Sequence, residues 1–294
     1  MVTCISVVIH RLNKKGLRMV TLESWAQEWE SAGQYGTVEQ RTERTKLWFP
    51  YYSYLAGQQR KKPFPPPGQP DGFVGDLLGG GMLRSGDSVL DIGAGTGGYA
   101  LEFARHCKSV TALEPCAPCL DVLGEHAAAC GLDNVRSICE LWENYRCPER
   151  FDVVFSSMCP AICGVDQLRR MEDVSARVCC LVTVMRGSVD KHRRAMMAGL
   201  GIRPKGMVTE ALYYYNALYL MGRQPNVICR TTHRAYDVDE ETVLTQYPIY
   251  FKIFGVDEEA STAYLKRYLS EHAEHGVLHD ESTLKQAMIT WSRE

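Results

Sequence analysis

From residue 86 onward, apolar and polar positions fall into alternating blocks. Short, mostly apolar runs at Ser88–Ile92, Ser109–Leu113, Phe151–Ser156 and Cys180–Met185 have strand length, and a further strand is expected at Val135–Ile138. Between them lie stretches with helical spacing at 98–107, Ala117–Cys130 and Gln167–Val178, and the turn Gly131-Leu132-Asp133-Asn134 precedes the third strand. Strands joined by helices of this length predict a parallel sheet with helices on both faces.

The flanks read differently. Trp25 and Trp29 stand one helical turn apart on one face with Leu22, and an aromatic run, Trp48, Phe49, Tyr51, Tyr52 and Tyr54, follows. Residues 21–60 are therefore expected to be helical. Pro63–Pro70 interrupts them before a short helix at Phe73–Leu78. Beyond Asp190 the expected elements are helices at Arg193–Leu200 and Glu210–Met221, a strand at Asn226–Ala235, and helices at 240–254 and 258–273. Asp257 caps the last of these, and a final strand follows at Thr283–Trp291. The predicted organisation is an aromatic-rich helical cap over 21–70 and an α/β domain over 71–294, with helical insertions around 190–225 and 238–275.

With 294 residues, 45% hydrophobic and 23% charged, the chain can bury one large core. Its 33 basic and 35 acidic residues leave a net charge of −2, without the basic surplus that holds a polyanion. Arg60-Lys61-Lys62 beside the prolines reads as a solvated loop. Twelve cysteines without a secretory framework fit reduced thiols in a cytoplasmic protein. Cys116-Ala117-Pro118-Cys119 is a single CxxC with no second pair at zinc spacing, so no metal is expected. No stretch has the length of a membrane span. The apolar run Val2–Ile9 precedes Arg11, Lys14 and Lys15, the reverse of a signal peptide, and Met19 is an alternative start.

The informative segment is Val89-Leu90-Asp91-Ile92-Gly93-Ala94-Gly95-Thr96-Gly97-Gly98-Tyr99, a strand that ends in a glycine turn and opens a helix. Glycines let a ligand approach the backbone, and the helix start offers unpaired N–H groups. Gly93, Gly95 and Gly98 satisfy the dinucleotide pattern GxGxxG, which by itself separates no cofactors. Asp91 points away from a pyrophosphate, which it would repel, and toward a cationic cargo. Glu114, 19 residues beyond Gly95, ends the next strand where a carboxylate can accept both ribose hydroxyls.

This loop, with Leu113-Glu114-Pro115 on the next strand, resembles the class I S-adenosylmethionine (SAM)-dependent methyltransferases over residues 86–160. The resemblance implies a Rossmann-like, doubly wound, mostly parallel seven-stranded sheet with one antiparallel strand at the edge. It also implies that Asp91, Gly93, Gly95 and Gly97 line the methionine half of SAM, converted to S-adenosylhomocysteine on transfer, while Glu114 holds the ribose. Ala94, Tyr99, Pro115, Leu141, Trp142, Ser157 and Met158 complete the expected cofactor site. Two positions depart from the family. Leu141 stands where many relatives carry an acid, leaving Glu140 to shift into that role or Trp142 to stack on the adenine. Ser157-Met158-Cys159-Pro160-Ala161 replaces the (Asp/Asn)-Pro-Pro-(Tyr/Phe) of enzymes that methylate base amines.

A small-molecule acceptor is therefore the expected partner, with no membrane and no nucleic acid, and a homodimer is among the assemblies the sequence allows. Alternatives are an RNA or protein methyltransferase, a non-catalytic SAM-binding module, and a nicotinamide oxidoreductase. Transfer needs in-line alignment and exclusion of water, plus a base if the acceptor is a hydroxyl or ammonium. The pocket wall is expected at Tyr99, at Ser157–Cys159 and just after Met185, with the N-terminal aromatic segment and the tyrosine-rich helix as lids. His233 is the first candidate base, and His192 reads as exposed helix.

Overall fold

A computed structural model describes residues 11–13, 16–18, 20–33, 38–64, 72–185, 189–203 and 210–293. The run Val2–Ile9, Met19, most of the proline-rich break and the residues just after Met185 lie outside the described residues. Strands β1 (Arg11–Asn13) and β2 (Gly16–Arg18) form a small antiparallel pair. Helices α1 (Leu22–Gly33), α2 (Val38–Arg60) and α3 (Gly72–Gly79) lead into β3 (Ser88–Ile92), α4 (Ala100–Ala104), β4 (Ser109–Leu113), α5 (Ala117–Ala129), β5 (Val135–Ile138), β6 (Phe151–Ser157), α6 (Val165–Val174) and β7 (Ser175–Val184). The remainder is β8 (Val189–Asp190), α7 (Lys191–Gly199), α8 (Ala211–Leu220), β9 (Asn226–Asp239), α9 (Glu240–Lys252), α10 (Glu258–His272) and β10 (Val277–Trp291).

The main sheet runs β5-β4-β3-β6-β7-β10, with β8 and β9 both on β10. Strands β3 to β7 are mutually parallel, as expected, and seven strands of four or more residues join the two-residue β8. The expected place of the antiparallel strand needs correction. It is not at the edge: β10 pairs antiparallel with β7 on one side and with β9 on the other, so β9 is the outer strand. The chain order turns at β3, with β4 on one flank and β6 on the other. That is the switch point where open α/β sheets leave a crevice at their carboxyl ends.

Alternation along the strands builds a core on each face. Leu90, Ile92, Leu113, Val154, Leu181 and Ile289 pack toward α1, α6 and α8. Val89, Val110, Ala112, Val153, Phe155 and Val182 pack toward α3, α4 and α5. In the first core Trp29 is fully buried, meets Tyr214 edge-on at 4.9 Å, and the Tyr214 hydroxyl donates to Ile162 O at 2.6 Å.

Two boundaries differ from the sequence reading. Residues 175–178, read as the end of a helix, open β7, because Ser175 turns extended (φ −92°, ψ 132°) and the segment pairs with Phe151 and Val153. The Arg177 side chain is held by Asp87 and Met82 O, which fixes that turn. Strands β9 and β10 are also longer than read. Their distal halves, from Thr231 and up to Lys285, run past the end of β7 at Val184.

That extension carries α9 and α10 beyond the carboxyl edge of the sheet, where Val243, Phe251, Leu265 and Met196 build a further core. Tyr51 of α2 joins it, 5.2 Å from the Tyr250 ring and accepting from Gln246 Nε2 at 3.0 Å. One turn on, Ala56 packs on Cys116, Cys119 and Val122 of α5. Helix α2 thus bridges the sheet's carboxyl edge. Asp257 caps α10 as expected, accepting from Glu259 N at 2.9 Å and Ala260 N at 3.2 Å. Asp257→Ala is expected to cost about 0.5–2 kcal/mol in urea unfolding, the usual value of such a cap.

Candidate active site

The glycine turn after β3 owes its shape to residues that a side chain would disrupt. Gly93 (φ +77°) donates to Leu113 O at 2.8 Å, and a Cβ there would stand 2.6 Å from Cys159 Sγ. Gly95 (φ +55°) has nothing within 4 Å of an added Cβ, so this side of the loop is open to a ligand. Gly97 differs: a Cβ would press on Leu123 and Leu101 at 2.8 and 3.0 Å, so it serves the packing of α4 and α5 behind the loop.

Two carboxylates lie at this turn. Glu114 is 7% exposed and accepts from Gly95 N at 3.0 Å and Cys116 N at 2.9 Å, which ties loop, strand and helix start together. Burial raises its pKa, against the lowering effect of those two bonds. Asp91, 2% exposed, lies one layer beneath and accepts from the backbone of Ala100. Burial, then the charge of Glu114, pushes its pKa up to about 8. A carboxylate held this way is short of a positive partner.

Over the turn is a cavity of about 220 Å³. Its floor is Gly93, Gly95 and Glu114; one wall is Pro115, Cys119, Glu140, Leu141 and Trp142, and the other runs from Ser157 to Ala161. Helix α2 supplies Thr45, Phe49 and Tyr52. Of the predicted cofactor residues, the structure brings Gly93, Gly95, Glu114, Pro115, Leu141, Trp142, Ser157 and Met158 to this cavity. Asp91, Ala94, Gly97 and Tyr99 lie behind the lining. Tyr99 is packed 4.7 Å from Phe155, and its hydroxyl is hydrogen-bonded to the Ser157 side chain.

Met158 adopts the left-handed region (φ 53°) and is half exposed, a conformation that costs about 1–3 kcal/mol and tends to mark functional sites. It swings the chain so that Cys159 lies over Gly93, where burial pushes the thiol up to about 12. Trp142 lines the cavity, but one face of its ring carries the Arg170 guanidinium at 4.0 Å, and its Nε1 donates to Gln167 at 2.8 Å. Glu140 reaches the wall and accepts from Leu141 N and Asn144 Nδ2.

The candidate base needs correction. His233 is exposed on β9, bonded through Nδ1 to Thr283 at 2.9 Å, and it does not line the cavity. The extended β9–β10 ladder carries it away from the reacting centre. His192 is buried rather than exposed: its ring nitrogens meet the Tyr268 hydroxyl at 2.8 Å and His279 O at 3.1 Å. Sequence reasoning named Ser157–Cys159 and the aromatic segment as wall and lid, but missed Cys119 and Glu143. The helical spacing from Cys116 would have placed Cys119 on the strand-end side of α5.

The donor set suits an adenosyl group. Glu114 stands at the strand end where a diol can reach it, the open face of Gly95 admits a backbone approach, and Pro115, Leu141 and Trp142 offer a flat apolar slot. The crevice at the switch point and the glycine turn define an α/β protein of Rossmann-like class. Residues 89–179 match the family model described as a methyltransferase domain.

An uncharacterised protein of Haemophilus influenzae is 26% identical over 163 residues, 54% of this chain and 59% of that protein, so the chain spans less than two thirds of that relative. The YcgJ protein of Bacillus subtilis is similar in structure, at 16% identity and a TM-score of 0.48, over 75% of this chain and 98% of that one. So is a coclaurine N-methyltransferase bound to N-methylheliamine and S-adenosylhomocysteine, at 14% identity and a TM-score of 0.45, over 92% and 94%.

Proposed function

We propose that the chain is a cytoplasmic enzyme that moves a methyl group from SAM to a small-molecule acceptor by in-line displacement. The observation that carries this reading is one cavity in which the open face of Gly95, the Glu114 carboxylate and the Leu141 wall meet the Ser157–Ala161 turn. When bound, SAM supplies an activated methyl on a sulfonium. This chain's residues do the rest. Glu114 accepts from the ribose hydroxyls, Asp91 balances positive charge from beneath, and Met158 and Cys159 set the acceptor's side of the path. Phe49 and Tyr52 close the site against water. The net charge of −2 and the missing (Asp/Asn)-Pro-Pro-(Tyr/Phe) favour a small acceptor over nucleic acid. No helix of the described residues is long and apolar enough to cross a membrane, and the described cysteines form no disulfide.

At about 220 Å³ the cavity is at the small end of small-molecule sites, which run to roughly 300–1,000 Å³. The test is calorimetric titration of the reduced protein with SAM, S-adenosylhomocysteine and NADH. Both sulfur ligands should bind in the micromolar range. Glu114→Ala should weaken them about 10- to 100-fold, the value of one or two charge-assisted hydrogen bonds. Binding of NADH in their place would overturn the reading.

A further inference from the structure

The cavity is one-sided in charge. Glu114, Glu140 and Glu143 line it, and among its described lining residues there is no lysine, arginine or histidine. The phenol of Tyr52 lies within electrostatic reach of Cys159, Glu114 and Cys119, all of which ionise to anions, and burial with these neighbours holds it protonated. Cys159 is likewise kept protonated by burial and by Glu114 and Glu143. Two guanidiniums stand near Glu143 and both are engaged: Arg170 sits on the Trp142 ring and donates to Tyr145 O at 2.6 Å, and Arg146 donates to Glu143 O at 3.3 Å.

The acids divide between the two ends. Glu114 is bonded to the glycine loop and Glu140 to its own turn, at the cofactor's end of the cavity. Glu143 has no such bond to the glycine loop; it lines the same cavity as Cys159 and as Phe49 and Tyr52 of α2, the groups left to meet an acceptor. A carboxylate or phosphate there would lose its water against like charge, while the neighbouring guanidiniums are already held by Trp142, Tyr145 O and Glu143 O. A phenol or thiol would be held protonated, as Tyr52 and Cys159 are, and would be a weak nucleophile. A cation is attracted by the carboxylate and by aromatic faces alike.

Resting on the methyltransferase reading, we propose that the acceptor is an amine, drawn in as its cation by Glu143, Phe49 and Tyr52 and methylated on nitrogen as the free base. The ammonium first gives one proton to the Glu143 carboxylate, which passes it to water; the nitrogen lone pair then forms the new N–C bond as the C–S bond breaks. The sulfur leaves as a neutral thioether and the positive charge passes to nitrogen. A primary or secondary amine then sheds one proton to water; a tertiary amine keeps the charge.

The experiment uses the full reduced chain saturated with S-adenosylhomocysteine, titrated with phenethylamine and with phenylacetate, its carboxylate counterpart. In parallel, methyl transfer from SAM is followed by mass spectrometry over skeleton-matched amines, carboxylates, phenols and thiols. Amines should bind at least tenfold tighter than the matched acids and be the members that gain a methyl group. Glu143→Gln should erase about tenfold of that preference while S-adenosylhomocysteine binds as before. Equal or tighter binding of the acids, no binding by any amine, or transfer confined to carboxylates, phenols or thiols overturns the proposal. A folded chain that binds no S-adenosylhomocysteine overturns the methyltransferase reading instead, so the two failures are distinct.

Discussion

Asp91→Asn is expected to stabilise the ligand-free protein while weakening its grip on SAM by about 10- to 100-fold. The side chain is 2% exposed, and its folded pKa of about 8 stands far above the 3.8 of an unperturbed aspartate. With the folded value raised, the folded state binds the extra proton. The contribution of this group is whole below pH 4, declines as pH rises, and is exhausted once pH passes about 8. At pH 7 the accumulated penalty is on the order of 4 kcal/mol, which the amide relieves.

Ligand binding runs the other way. A sulfonium and an ammonium above the glycine turn favour the ionised carboxylate, so binding expels the proton. Affinity should climb toward tenfold per pH unit between pH 6 and about 8 and then level off. The checks are urea unfolding and SAM calorimetry across pH 5 to 9 on both proteins. A wild-type affinity flat in pH, or a variant no more stable than wild type at pH 8, would remove Asp91 from the charge balance. Glu114 shifts in the same direction, so the amide variant should keep a shallow residual slope.

The sequence was most legible where local rules and tertiary structure agree. Strands β3 and β4 begin and end where the apolar runs do, because buried parallel strands need continuous apolar residues; the edge strand β5, Val-Arg-Ser-Ile, is marked instead by the Gly131–Asn134 turn before it. The glycine loop could be read to single residues, since Gly93 and Gly95 are demanded by backbone angle and by space. Legibility fell where a partner strand decides. Ser175-Ala176-Arg177-Val178 suits a helix on propensity, and only the Asp87–Arg177 contact and pairing with β6 make it strand.

His233 failed as a base for a related reason. A histidine in a strand gives no sign of how far that strand outruns its neighbours, and β9 outruns β7 by the length of its distal half. Glu143 was missed because a turn acid is normally solvated; its place in the cavity comes from Trp142, which Arg170 and Gln167 pin into the core one residue earlier. The N-terminal aromatics were legible as a lid but not in detail. Their contacts run to α9 and α5, more than 60 residues away in either case, and no periodicity reports such distances.

Arg223→Met is expected to lower the free energy of unfolding by about 3–5 kcal/mol, the usual cost of stranding a buried charge. The side chain of Glu172, at the end of α6, is 4% exposed. It accepts from Arg223 Nε at 2.7 Å, from Arg223 Nη2 at 2.9 Å and from Trp291 Nε1 at 3.1 Å. Three distant segments meet on one carboxylate: the last turn of α6, the third residue after α8 and the end of β10. Removing the guanidinium leaves the charge with one neutral donor. Guanidinium chloride unfolding should show the midpoint falling with little change of slope, because the same surface is exposed.

The double variant Glu172→Gln with Arg223→Met separates charge from packing. Glutamine still accepts from Trp291 and brings no charge into the core, so most of the lost stability should return. If it does not, the arginine acts through its aliphatic packing and the ion pair is incidental. Glu172 lies by the start of β7, toward the amino ends of the strands and away from the cavity. The folded fraction of either variant should therefore bind S-adenosylhomocysteine as the parent does. Loss of that binding at temperatures where the protein is still folded would mean that the clamp also sets the geometry of the carboxyl edge.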